Sequence, residues 1–229
     1  MGLWDTRNES LRLLDTDWKA QADVIGGTFN LIDESIRIFE AEGSRDAIRV
    51  YERVCALTGV KGRNLALGMF SLTLDGLGQE AGALLRPLIE AHEKLIWFRL
   101  DPKRAQRVFT GKMPTAGAIA KDIRGQFQDL REYLNEHASH FGVTSESLKH
   151  VLDVGKSRLI LRQPCVPTTL AYNISSLHTV LWLFLHELCM CLDAVRRLPK
   201  RLAQRVELQR QKAIDVFGLT DPNAETAAP

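Results

Sequence analysis

The sequence has little that would cross-link or export the chain. It contains four cysteines in 229 residues, and none of them forms a CxxC pair. Cys189 and Cys191 are two residues apart on a predicted helix, where their side chains point in different directions and cannot readily bridge each other. No secretory signal opens the chain. We therefore expect reduced thiols and a cytoplasmic protein.

The sequence also lacks an excess of one charge and a long uncharged apolar run. Its formal net charge is +2, so any attraction to nucleic acid or to an anionic membrane has to come from a local patch. The most apolar stretch, residues 177–192, contains His178, His186 and Glu187 and is short for a membrane span. It predicts a buried core helix, and we expect no association with a membrane.

Motifs of known chemistry are absent as well. The sequence has no nucleophile elbow, no glycine-rich phosphate loop and no dinucleotide fingerprint. A di-iron helical bundle needs Glu-x-x-His on two helices, and that pattern does not occur. The sequence therefore predicts neither a cofactor nor a metal site.

Helical periodicity is what the sequence does have. Apolar residues alternate three and four positions apart over residues 18–39, 74–98 and 170–198, a spacing typical of amphipathic helices that pack through one face. We expect an all-α fold, a single bundle of long amphipathic helices packed roughly antiparallel over residues 17–218. Residues 1–16 would form a polar N-terminal arm or a short helix, and residues 219–229 a disordered tail.

Several local features of the bundle follow from the same pattern. Gly59 and Gly62 predict the end of a short helix, after which a new helix begins. A long helix is expected over residues 115–141, and a short extended stretch only within residues 155–167. The apolar seams also predict five almost fully buried leucines: Leu88, Leu95, Leu130, Leu181 and Leu188.

A first group of polar residues lies on the predicted helix that carries Pro87. Arg86 and Glu90 are four residues apart and share one face of it. With Glu93 nearby, they form either a solvated salt-bridge ladder opposite the apolar seam or a polar group held beside the core. The second alternative depends on Pro87, because a proline inside a helix kinks its axis and opens space. Arg86, Glu90 and Tyr133 of the next long helix would then line a polar pocket.

A second group lies near the end of that next helix. Tyr133, His137 and His140 follow one edge of it. His137 falls on the apolar seam, where a histidine has to find a hydrogen-bond partner or stay neutral. The two histidines are either one core and one surface residue or an acid–base pair suited to cleaving a phosphodiester. In the second case we expect His137 to hydrogen-bond to the helix that carries Arg86.

A basic ridge accompanies the last predicted helix, which begins at Pro199 and ends at Gly218. Arg197, Arg201 and Arg205 repeat every four residues along it. The ridge is either a solvated helix face or a surface that contacts the phosphates of nucleic acid.

Part of the chain resembles a known group of proteins. Residues 84–90, Leu-Leu-Arg-Pro-Leu-Ile-Glu, resemble the Arg-x-x-x-Glu helix of uncharacterised all-helical bacterial proteins that are grouped loosely with HEPN-like and abortive-infection proteins. In that group a later helix ends in a segment of Tyr and His, as residues 133–140 do here. The resemblance covers about residues 65–150.

The resemblance implies an activity and the residues that would carry it. HEPN ribonucleases pair an Arg with a His four to six residues further on, and this spacing occurs between Arg131 and His137 and between Arg86 and His92. By resemblance, the chain would be a metal-independent ribonuclease with Arg131, His137 and His140 as its catalytic residues.

The sequence leaves two main functions open. The one we favour is a non-catalytic helical module that forms a homodimer or binds a protein partner through its apolar seams. The alternative is an HEPN-like, RNA-directed defence or toxin protein. A third function, ligand binding inside the bundle, also remains open. Convergence of the polar side chains in one cleft would favour the RNA-directed alternative.

Overall fold

The computed structural model describes residues 4–40, 47–137, 151–160 and 163–218. These residues form nine α-helices: α1 (Asp5–Asp15), α2 (Lys19–Glu40), α3 (Ala47–Leu74), α4 (Gly78–Leu100), α5 (Gln106–Phe109), α6 (Ala116–Asp122), α7 (Gln128–His137), α8 (Pro167–Ala194) and α9 (Lys200–Phe217). Two 3-10 helices (Pro102–Ala105 and Val154–Lys156) and a hairpin of two-residue antiparallel strands, β1 (Leu152–Asp153) and β2 (Arg158–Leu159), complete the described elements. The all-α prediction is therefore confirmed. β2 lies within residues 155–167, where we expected the only extended stretch, but its partner β1 lies before that range, so this bound was wrong.

Helix α8 lies at the centre of the bundle and packs against α2, α3 and α4. Leu177, Leu181, Phe184 and Leu188 have no exposed surface, because apolar residues recur at helical spacing along the whole helix. By length and mean hydropathy, α8 is the one helix among the described residues that could cross a membrane, and 61% of its most apolar window is buried inside the protein. The expected core helix is therefore present.

Four of the five leucines predicted to be buried are buried. Leu88, Leu95, Leu181 and Leu188 are 0% exposed. Leu130 is only partly buried, so its prediction was wrong. The reason is that Leu130 packs against the main core from one side and lines a cavity.

The predicted helix end at Gly59 and Gly62 is wrong, because α3 runs through both glycines from Ala47 to Leu74. The glycines instead allow neighbouring helices to approach closely. A Cβ at Gly59 would lie 2.9 Å from Cγ1 of Ile36, and one at Gly62 would lie 2.2 Å from Cζ of Phe184. Glycine at these two positions therefore allows α3 to pack closely against α2 and α8, and it does not mark a turn.

The long helix expected over residues 115–141 is divided into α6 and α7 in its described part. Thr115 caps α6, since its side chain accepts a hydrogen bond from the backbone N–H of Ala118 at 3.3 Å. The chain leaves the helical path at Arg124, whose φ is +52°, and α7 begins at Gln128. The described residues end with α7 at His137, so residues 138–141 lie outside them.

The first helix extends the core. In α1, Leu13 and Leu14 are buried in a second apolar cluster with Leu170 and Ile174 of α8. The sequence allowed either a loose arm or a short helix for residues 1–16, and α1 occupies most of their described part.

The last helix has the ends that the sequence predicts. Pro199 precedes α9, and Gly218 ends it with a φ of +64°. Gln209 of α9 donates a hydrogen bond to the backbone oxygen of Val24 at 2.6 Å, and a Cβ at Gly27 would lie 2.8 Å from the Gln209 amide. Close approach at Gly27 therefore joins α9 to α2, while the tail of residues 219–229 lies outside the described residues.

Candidate functional site

A cavity of about 580 Å³ lies between α4, α6 and α7. Four cationic side chains line it: Arg86, Lys121, Arg124 and Arg131. Two glutamates, Glu90 and Glu132, lie among them. The remaining surface is formed by small residues: Ala116, Gly117, Ala120 and Gly125. Gln128 completes the lining. We call it the basic cavity, because its cations outnumber its carboxylates.

The break between α6 and α7 shapes one wall of the basic cavity. After the left-handed Arg124, the backbone N–H of Gly125 donates to the carbonyl of Ala120 at 2.8 Å. A Cβ at Gly125 would lie 2.6 Å from Oε1 of Glu93. Only glycine fits at position 125 without a clash. Its neighbour Arg124 has a positive φ, and non-glycine residues in this conformation cluster at functional sites.

Glu93 lies behind this wall and anchors Arg131. Its side chain is 1% exposed, and Nη1 of Arg131 donates to its Oε2 at 2.9 Å. Oε1 is buried without a hydrogen-bond partner among the described residues. Burial raises the pKa of the Glu93 carboxyl, an effect that the Arg131 charge opposes. The solvated-ladder interpretation therefore fails for Glu93, which is a polar group held beside the core.

Arg86 and Glu90 line the basic cavity from α4. They form an ion pair of 3.2 Å within α4, with side chains 35% and 20% exposed. Arg131, which the sequence grouped with His137 and His140, lines the same cavity as Arg86 and Glu90. His92, which shares the Arg–His spacing with Arg86, is turned instead into the core and meets Phe127 edge-on at 5.9 Å.

The burial of His92 has an electrostatic consequence. Desolvation, with smaller contributions from His186 and Arg99, lowers the pKa of His92 to about 4. Nδ1 of His92 is buried without a hydrogen-bond partner among the described residues. The imidazole is therefore neutral near physiological pH, and it does not face the basic cavity.

Tyr133 does not line the basic cavity, so the predicted polar pocket of Arg86, Glu90 and Tyr133 is divided. Tyr133 is 57% exposed and lines a neighbouring cavity on another face of α7. The side chain of His137 and all of His140 lie outside the described residues. Their proposed acid–base role and the expected hydrogen bond from His137 to α4 therefore stay predictions.

The neighbouring cavity has about 450 Å³ and lies between α4, α7 and α8. Its walls are mainly apolar and are formed by Met69, Leu85, Phe127, Leu130, Leu134 and Val180. Its polar side chains are uncharged: Gln79, Thr169, Asn173, Ser176 and Thr179. Two tyrosines, Tyr133 and Tyr172, lie at its rim. Tyr172 is 73% exposed. We call it the tyrosine-rimmed cavity.

The basic ridge begins just before the last helix, since Arg197 precedes α9 (Lys200–Phe217) and Arg201 and Arg205 lie on it. Arg197 donates to the buried Glu52 of α3 at 2.9 Å, and Arg205 forms an ion pair with Glu34 of α2. Arg201 is exposed. Two of the three arginines therefore pair with glutamates of α3 and α2, which argues against a ridge whose charges all contact phosphates.

Two cations of the basic cavity, Lys121 and Arg124, were not predicted from the sequence, and the burial of Glu93 was left open. Lys121 and Arg124 have the spacing of an ordinary solvated helix face. The packing of α6 against α4 brings Lys121 to the cavity, and the break at Arg124 and Gly125 places Arg124 there. Glu93 could have been found, because it follows Ile89 by four residues and so continues a face of α4 that points to the core.

Nowhere in the described ranges do three or more His, Cys, Asp or Glu side chains come together as ligands would. Comparison with protein-family models, with curated proteins and with solved structures found no match for this chain.

Proposed function

We propose that this chain is a binding module for RNA and that the basic cavity contacts the phosphates. The proposal depends on which of the cavity's four cationic side chains pair with carboxylates and which do not. Carboxylates brace Arg131 and Arg86 at 2.9 and 3.2 Å. Lys121 and Arg124 are exposed, and neither has an ion-pair partner in the described ranges.

This arrangement suits recognition of a phosphate backbone. Each lysine or arginine that contacts a phosphate releases condensed counterions, which favours binding and makes it sensitive to salt. The small residues Gly117 and Ala120 let a ligand approach the backbone closely. The resemblance of residues 65–150 to HEPN-like proteins involves the same helices, and it favours RNA over other polyanions.

Binding, rather than cleavage, is the activity that the described contacts support. Nη1 of Arg131, the expected catalytic arginine, is hydrogen-bonded to a carboxylate that is 1% exposed. That ion pair positions α7 against α4. It also reduces the positive charge and the number of N–H donors that the guanidinium can present to a reacting phosphate. Gel electrophoresis of the RNA recovered from binding mixtures reports whether cleavage accompanies binding.

The test is a double substitution, Lys121→Gln with Arg124→Gln, measured by fluorescence anisotropy of a labelled single-stranded RNA at several salt concentrations. We expect weaker binding and a salt dependence whose slope falls by roughly 1.4, since each phosphate contact on a single strand contributes about 0.7.

The matched control is Lys156→Gln with Arg158→Gln on the β hairpin. These side chains are also one lysine and one arginine, and they are 66% and 68% exposed. The control should bind RNA like the unmodified protein. Equal losses in both double variants, or no salt-sensitive binding by the unmodified protein, would contradict the proposal.

Homodimerisation is a second candidate function, and the exposed face of α3 favours it. Leu57, Val60 and Leu67 are 55%, 39% and 45% exposed, and their spacing places them along one side of the helix. Exposed apolar residues aligned in this way are typical of surfaces that contact another helix. A second copy of the chain, packed through the same face, would cover them with a closed two-fold interface.

Light scattering coupled to size exclusion tests this second candidate. Leu57→Glu with Leu67→Glu should convert a dimer to a monomer, because the charges would be buried without partners at the interface. Leu208→Glu is the control, since Leu208 is 65% exposed on α9, away from α3. A monomeric unmodified protein would rule out the α3 interface.

A further inference from the structure

The tyrosine-rimmed cavity has the properties of a site for an uncharged ring. None of the side chains that line it is acidic or basic, so a charged group placed there would lose its hydration without a compensating ion pair. Its volume of about 450 Å³ lies within the range of small-molecule sites. A neutral group with apolar faces and a polar edge would match its walls.

Polar side chains in this cavity are placed where such an edge could bind. The amide of Asn173 lies so close to α4 that a Cβ at Gly78 would approach its Nδ2 to 2.8 Å. Ser176 follows it one turn later on α8, and Thr179 lines the same cavity, where its hydroxyl donates to the backbone oxygen of Ser175 at 3.0 Å and can still accept. Amides and hydroxyls both donate and accept hydrogen bonds, which suits the mixed donors and acceptors on the edge of a nucleobase.

The tyrosine-rimmed cavity and the basic cavity share two walls. On α7, Leu130 lines the former and Arg131 the latter. On α4, Leu85 and Arg86 are divided in the same way. The two cavities therefore lie on neighbouring faces of the same two helices, and an extended strand that passes from one face to the next carries a base and an adjacent phosphate.

We propose that the tyrosine-rimmed cavity receives a base of the RNA strand whose phosphate lies in the basic cavity. This inference rests on the proposed function. It names the unpaired base as the part of the RNA through which the protein would distinguish single strands from duplexes. The exposed rings of Tyr133 and Tyr172 at the rim supply faces on which a base stacks, as aromatic side chains do in other single-strand sites. A paired base cannot enter, because its edge and faces are occupied in the duplex.

The experiment compares two short RNAs of equal length, one with bases and one in which every nucleotide is abasic. Both carry the same phosphates. The unmodified protein should bind the strand with bases about five-fold to a hundred-fold more tightly, which corresponds to the usual gain from stacking one base. Binding of both strands with equal affinity would overturn this inference and leave the proposed function standing. Failure to bind either strand would overturn both.

Substitutions locate the effect. Tyr133→Ala and Tyr172→Ala should weaken binding of the strand with bases and leave the abasic strand unchanged, whereas the Lys121→Gln, Arg124→Gln variant should weaken both. Phe109→Ala is the matched control, because Phe109 is 57% exposed in α5, outside both cavities. Both tyrosines are exposed, and circular dichroism checks that each variant is folded.

Another occupant would give a different pattern. If Tyr172→Ala abolished self-association and left the affinity for the strand with bases unchanged, the cavity would belong to an interface between copies and the inference would be wrong.

Discussion

Replacing Gly62 with alanine tests how closely α3 and α8 pack. A Cβ at this position would lie 2.2 Å from Cζ of Phe184, where ordinary contact begins near 3.4 Å. The ring has no exposed surface, so the helices or the ring must shift by about 1 Å in a close-packed core. Overpacking lowers the free energy of unfolding by about 1–3 kcal/mol. The better helix propensity of alanine raises it by about 1 kcal/mol. Because the clash is severe, we expect a net loss of about 2 kcal/mol in the free energy of unfolding.

The same substitution at Gly26 is the control. Gly26 lies in α2 with nothing within 4 Å of an added Cβ, so Gly26→Ala should stabilise the protein by about 0.5–1 kcal/mol. Urea unfolding followed by circular dichroism gives both free energies. If Gly62→Ala were as stable as Gly26→Ala, the close approach of α3 to Phe184 would be wrong.

Three further predictions concern the core and its buried ionisable groups. Leu181→Ala should cost about 2–5 kcal/mol in urea unfolding, whereas Leu208→Ala, at a side chain 65% exposed, should stay within about 0.5 kcal/mol. Burial lowers the pKa of His178 to about 4, so the unfolded chain takes up its proton first and stability should fall as pH drops from about 6.5 to 4. His178→Leu should reduce that fall by up to about 3 kcal/mol at pH 4, and an unchanged pH profile would refute the burial. Burial raises the pKa of Glu93, so its contribution to stability decreases as pH rises above the ordinary value of 4.5. Glu93→Gln should remove that decrease in the same titration, and persistence of the decrease would assign it to another group.

The parts of the fold that could be predicted are those in which local sequence and packing agree. The bounds of α9 follow from Pro199 and Gly218, since proline favours a helix start and glycine a left-handed end. The apolar seam of α8 likewise predicts its own burial. Gly62 could not be interpreted correctly, because a glycine that ends a helix and one that admits a neighbouring ring look alike until the partner is known.

The candidate site was predictable in part for a similar reason. Arg86 and Glu90 are four residues apart, so helical geometry alone places them together. The presence of Arg131 in the same cavity depends on the ion pair to Glu93, which lies 38 residues earlier in the chain. Arg124 depends on a turn that Gly125 permits over that carboxylate. Such contacts between distant residues leave no periodic pattern in the sequence.

The central position of α8 has a consequence for how the chain folds during synthesis. The helices that pack around it, α2, α3 and α4, all precede it, and residues 101–166 must be made between α4 and α8. Because synthesis proceeds from the N-terminus, these helices leave the ribosome before their common partner exists. Contacts between residues so distant in sequence also form slowly. The nascent chain therefore exposes its apolar faces for the time needed to translate that intervening segment, and a chain that stopped before α8 would be a substrate for chaperones and proteases.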